Sequence, residues 1–159
     1  MSCGLSAQYW IDTLGLTSHP EGGWFKETFR DETLIQQGTR NASTGIYFLV
    51  ESGAPSCLHR IGASEMWHFY AGDPLVVHQL CTQKGYQRHL LGQNWQKGER
   101  FQAVVPPNVW FGAQTLGAYS LVGCTVAPGF DFADFTLGTR QALQELFPQY
   151  GDVVEMLTR

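Results

Sequence analysis

Positive charge is scarce in this chain. Ten lysines and arginines stand against fourteen acidic residues in 159, a formal charge of −4. A surface for nucleic acid needs a basic excess, so that class of partner is argued against. Long apolar runs are missing too. No window of about 18 apolar residues occurs, and no transmembrane helix is expected. The first residues, Met-Ser-Cys-Gly, lack the basic and apolar regions of a signal peptide. Four cysteines (Cys3, Cys57, Cys81 and Cys124) form no C-x-x-C pair, which speaks against a zinc knuckle. The last three lie in strand-like runs and read as small buried hydrophobes. Reduced thiols without a signal peptide predict a cytoplasmic protein. No internal repeat stands out, and no nucleotide, phosphate or flavin motif is present.

What is there points to an ordered β protein. Apolar residues make up 43% and charged residues 15%, a globular balance. The length predicts one domain over 1–159 with a sizeable core. Ser6 can cap a short helix carrying Tyr9, Trp10, Ile11 and Leu14, with Gly15 as its stop. His19-Pro20-Glu21-Gly22-Gly23 is a turn into a strand over 24–30, with Phe25, Glu27 and Phe29 on one side. Residues 31–43 are polar and read as a loop. Short strands are then predicted over 44–50, 55–61, 65–70, 74–82, 86–91, 100–105, 109–114 and 118–126. Turn residues such as Gly72-Asp73-Pro74 and Pro106-Pro107-Asn108 separate them. Strands at such spacing signal a barrel or sandwich. Thr139 opens a helical pattern of Ala142, Leu143, Leu146 and Phe147 that Pro148 ends, and a last amphipathic turn holds Val153, Val154, Met156 and Leu157. Both read as C-terminal helices on the barrel's outside or across a subunit contact.

The stretch His59-Arg60-Ile61-Gly62-Ala63-Ser64-Glu65, continuing to Gly72, resembles the first cupin signature, H-x-H-x3-E-x6-G. Ile61 stands where the second histidine would be. Pro106-Pro107-Asn108-Val109-Trp110-Phe111 is similar to the second signature, P-x-G-x2-H, with Asn108 for the glycine and Phe111 for the histidine. The resemblance implies a site built from two histidines, a carboxylate and a third histidine. Two of those four are apolar here, so no metal is assigned. If Gly62-Ala63-Ser64 makes a hairpin, Glu65, Trp67 and Phe69 face one cavity with His59. A His59–Glu65 pair in such a cavity is a poised acid or base. His59 is then the base and Glu65 its orienting partner, with Tyr47 or Tyr70 as donor. Trp67, Phe69, Trp110 and Phe111 would give the pocket aromatic walls. The plainer reading is a residual pair satisfied by itself and water. His68 falls on the outer face by alternation, His78 reads as a satisfied core or interface histidine, and His89 as a solvated strand position.

In the stretch from His19 to Arg30, charge and aromatics crowd onto a Gly-Gly turn. Glu27 or Arg30 can meet a polar ligand at the cavity mouth, or the two can form an ion pair at a subunit edge. Together with Ser43-Thr44-Gly45-Ile46-Tyr47-Phe48-Leu49, Glu65-Met66-Trp67-His68-Phe69-Tyr70-Ala71-Gly72, Val105-Pro106-Pro107 and Val122 to Phe130, these blocks resemble the cupin-5 group, formerly domain of unknown function 985. The likeness runs from about residue 11 to 137. It implies a mainly β fold, a double-stranded β-helix or cupin jelly-roll barrel, with a short N-terminal helix and C-terminal helices, commonly as a homodimer. It implies no established activity; members are described by likeness to sugar epimerases and plant storage cupins. The cofactor is unknown. A small-molecule ligand is expected as partner, used by a metal-independent isomerase or epimerase. The alternatives are a metalloenzyme using His59, Glu65 and a third group, or a non-catalytic storage module.

Overall fold

Ser6 caps the first helix as its sequence predicts. The serine side chain accepts the Tyr9 N–H, and Gly15 closes the far end in a left-handed turn. In the computed structural model, which describes residues 4–159, this helix is α1 (Ala7–Leu14). Next come β1 (Thr17–Ser18), β2 (Trp24–Arg30), β3 (Leu34–Ile35), β4 (Arg40–Asn41), β5 (Thr44–Glu51), β6 (Ser56–Arg60) and β7 (Ser64–Gly72). They are followed by β8 (Leu75–Cys81), β9 (Gly85–Leu91), β10 (Gln102–Val105), β11 (Trp110–Thr115), β12 (Tyr119–Ala127) and β13 (Thr136–Leu137). Helices α2 (Arg140–Leu146) and α3 (Gly151–Met156) end the chain. The eight strands predicted between 44 and 126 are β5 to β12, with every boundary within two residues. The stretch read as a loop holds a small hairpin, β3 against β4.

Two antiparallel sheets make the barrel. One runs β1-β2-β5-β12-β7-β10, the other β13-β6-β11-β8-β9. This is a cupin-like double-stranded β-helix. Alternation sends Phe48, Val50, Trp67, Phe69 and Val122 inward from the first sheet, against Leu75, Val77, Phe111 and Ala113 of the second. The opposite faces carry the helices. Helix α1 covers Leu49, Tyr119 and Leu121, and the Trp10 indole donates to the Tyr119 hydroxyl at 3.0 Å. The C-terminal helices cover Leu58 and Leu80 with Leu143, Phe147, Val154 and Leu157. Leu146, expected on that face, is exposed, because a helix this short presents only one narrow stripe. Among the described residues no helix is long and apolar enough to cross a membrane.

Two expectations about pairing are corrected. Gly62 and its neighbours do not make a hairpin: β6 and β7 belong to different sheets, and the chain crosses between them there. His59 and Glu65 therefore face each other across the barrel rather than along one ladder. In β2, the register against β5 shifts between Glu27 and Phe29, with Thr28 as the extra residue of a bulge. Phe29 consequently turns outward opposite Gly45, away from the side of Phe25 and Glu27, and is exposed. Arg30 takes its place on the inner side.

Candidate functional site

The register places the polar groups of the inner face in two neighbouring rows. Arg30, Thr44, Val126 and Glu65 lie side by side across β2, β5, β12 and β7. Glu27, Ile46 and Cys124 form the next row. Both rows line a cavity of about 300 Å³, completed by His59 and Ile61, by Phe25, by Phe130 to Phe132 after β12, and by His19 and Glu21.

Glu21 reaches the cavity because its turn is pressed against the barrel. Gly22 and Gly23 have φ of 104° and 77°, and a Cβ on Gly23 would meet the Leu49 carbonyl oxygen and the Phe48 ring at 2.8 Å. The Cys57 N–H donates to the Glu21 carbonyl at 2.7 Å, tying the turn to β6. The Glu21 carboxylate then accepts from the Ser56 hydroxyl at 2.7 Å and from His59 Nε2 at 2.9 Å. His59 Nδ1 donates to the Cys57 carbonyl at 2.7 Å. Both partners of the ring are acceptors, so the arrangement suits an imidazolium facing a carboxylate. Burial pushes the Glu21 carboxyl up, but His59 opposite it, helped by His19 and Ser56, holds it below its usual range. Burial likewise pushes His59 down, and the Glu21 carboxylate, together with Glu65 and the Cys57 carbonyl, more than reverses that. His19 Nδ1 accepts the Glu21 N–H at 3.2 Å, which leaves its proton on Nε2. Burial lowers its pKa, against the pull of Glu21, and it is the neutral imidazole of the group.

Glu65 is the odd member. It is 8% exposed, its carboxyl opens on the cavity, and burial raises its pKa to about 7. His59 pulls that value down, while Glu21 pushes it up. The Cys124 thiol, in the neighbouring row, also draws that value down and is itself pushed well above its ordinary value by burial and by Glu65.

The residues singled out by sequence thus divide. His59, Glu65 and Glu27 line the cavity, and Glu27 is there as the partner of Arg30, at 2.6 Å. Trp67, Phe69 and Phe111 are buried in the core beside it and do not line it. Trp110, one residue out of phase with Phe111, faces the C-terminal helices beneath the Arg60 guanidinium. Tyr47 and Tyr70 pack against each other on the outer face of the first sheet and are not cavity donors. The walls are instead Phe25, Phe130 and Phe132. His68 is on the outer face as expected, hydrogen-bonded to Thr125. His78 is buried under Tyr86 with Nε2 unpaired, and burial lowers its pKa to about 4. His89 is half-buried against Gln79 rather than solvated, and Cys81 is half-buried rather than buried. Glu21 and His19 are the residues that sequence reasoning missed. Their signal is the pair of ionisable groups beside the two glycines, in a stretch where strand alternation draws the eye to Glu27 and Arg30 instead.

Residues 8–138 match the family described as Cupin superfamily (DUF985). The chain belongs to that family. Among solved structures, this cupin is similar to protein SO0799 from Shewanella oneidensis, at 38% identity with 98% of each chain covered and a TM-score of 0.93. It is also similar to a hypothetical protein from Leishmania major, at 36% identity over 97% of this chain and 99% of that one, with a TM-score of 0.91. The uncharacterized protein YML079W of Saccharomyces cerevisiae is 30% identical over 152 residues, 82% of this chain and 74% of its own.

Metal-binding cupins raise the question of a metal here, and the donor set answers it. Phe111 pairs directly with His59 across β11 and β6, and its ring packs on the imidazole at 4.1 Å. Ile61 adds a second apolar group. His59 has both nitrogens engaged by acceptors, which leaves no lone pair for a cation. Among the described residues no three His, Cys, Asp or Glu side chains are grouped to hold a metal ion. The residues do not fit one.

Proposed function

We propose that this cupin binds a small organic molecule in its cavity and that Glu65 exchanges a proton with it, as a metal-independent isomerase or epimerase does. The observation that carries the reading is Glu65 itself: a buried carboxyl opening on a ligand-sized cavity, with a pKa of about 7. A general base works best when its pKa lies near the working pH. His59 is not that base, because taking up a proton requires a free nitrogen and both are occupied. It serves as the fixed cation that keeps Glu65 partly ionised. In the reaction the Glu65 carboxylate takes the proton from a carbon next to a carbonyl. The C–H electron pair passes to the carbonyl oxygen as an enolate, and the carboxyl returns the proton to the face it came from, at the same or the neighbouring carbon. Epimerisation instead takes its proton from a second donor on the opposite face. His19, neutral and holding its proton on Nε2, supplies a donor at the cavity wall.

The test is proton exchange in heavy water. Aldoses, ketoses, amino sugars and keto acids are incubated with the protein, and loss of the α-proton signal is followed by ¹H NMR. Exchange that falls at least about a hundredfold in Glu65→Gln supports the reading, within the usual contribution of a general base. Ligand binding without exchange for any compound leaves a storage-type module instead.

We also propose that two copies associate through the outer face of the first sheet. Phe29, Met66 and Val104 lie there in one row across the sheet, with Phe29 51% and Val104 45% exposed. An apolar row beside open sheet edges is stabilised by a partner.

A further inference from the structure

We infer that the cavity selects a small organic ammonium compound over anions and neutral molecules of the same shape. This deepens the ligand-binding reading above and rests on it. Two cationic side chains line the cavity, and neither has a donor to spare. Arg30 gives Nε and Nη2 to the two carboxylate oxygens of Glu27 at 2.6 and 3.0 Å. Its Nη1 donates to Asn41 at 2.9 Å, and both terminal nitrogens share the Phe130 carbonyl at 3.2 Å. All five guanidinium N–H groups are used. His59 is saturated by Glu21 and the Cys57 carbonyl. An anion entering the cavity would find no charged donor.

The acidic groups are not used up in the same way. Glu21 is matched by His59 and Glu27 by Arg30, which leaves Glu65 and Asp131 in excess among the lining residues. Asp131 accepts the Ala133 N–H through one oxygen only. Glu65 is more than nine-tenths buried, forms no ion pair among the described residues, and faces the cavity. A buried carboxylate regains most when a cation comes to it in a low-dielectric space. The three phenylalanines of the wall, Phe25, Phe130 and Phe132, offer ring faces that attract an ammonium and have no such preference for an alcohol or a carboxylate.

Three probes of one shape separate the cases: cyclohexylammonium, cyclohexanol and cyclohexanecarboxylate. Each is titrated at pH 7.5 into the full-length protein, followed by calorimetry and by amide shifts of the cavity residues. Cyclohexylammonium is expected to bind about tenfold more tightly than either of the others, and Glu65→Gln to abolish that preference. Asp131→Asn, on the exposed segment after β12, is expected to weaken the preference about twofold and gives a second reading if Glu65→Gln is poorly folded. Equal or tighter binding of the alcohol or the carboxylate at the cavity overturns the inference and leaves ligand binding intact. A preference unchanged in both variants overturns it too. If none of the three shifts the cavity amides, the ligand-binding reading fails and this inference with it.

Discussion

A carboxyl such as Glu65 is a liability that folding has to absorb. Its pKa rises from 4.5 to about 7 on folding, so the fold favours its protonated form. The stability held in that proton is complete below 4.5 and is lost as pH climbs to about 7, at a cost of about 3 kcal/mol. His59, raised on folding, adds a loss in the same direction as pH passes its folded value. Glu21, lowered on folding, acts at the other end: its contribution is present above the ordinary carboxylate value and disappears as pH falls. Urea unfolding at pH 5 and pH 8.5 should therefore show a weaker protein at the higher pH, and Glu65→Gln should recover about 2–3 kcal/mol there while changing little at pH 5. A variant that tracks the native protein at both values would disprove the burial argument. His59 and Glu65 were legible in the sequence because a spaced signature marks them. Glu21 was not, since its partner on β6 is reached only through the packing of the turn.

At the level of elements, the turn 19–23 and the bulge in β2 decide what the cavity contains. Two glycines of positive φ provide a matched comparison. Gly23 sits against the Leu49 carbonyl and the Phe48 ring, while Gly53, with φ of 75°, has nothing within 4 Å of an added Cβ. Gly53→Ala should cost about 1 kcal/mol from backbone strain alone. Gly23→Ala should cost about 3 kcal/mol and shift the His59 ring protons as Glu21 is displaced. Equal losses measured by urea unfolding would show that the turn is not pressed on β5. The bulge at Thr28 explains why alternation put Phe29 inside. Alternation counts residues evenly, and an extra residue is visible only once β2 is paired to β5.

For the whole molecule, the open question of assembly follows from the row Phe29, Met66 and Val104. At micromolar concentration the protein should sediment as a dimer, and Val104→Glu as a monomer with an unchanged far-UV spectrum. A native protein that sediments as a monomer at that concentration would remove the proposed interface.

The sequence alone determined the strands from β5 to β12, the caps at Ser6 and Thr139, and the family. These depend on side-chain period, turn chemistry and capping, which act within a few residues. Only the tertiary structure decided that β6 and β7 lie in opposite sheets, that His59 meets Glu21, and that Glu65 is left buried and nearly alone. Sheet membership, burial and charge pairing arise between segments distant in the chain, where no local pattern reports them.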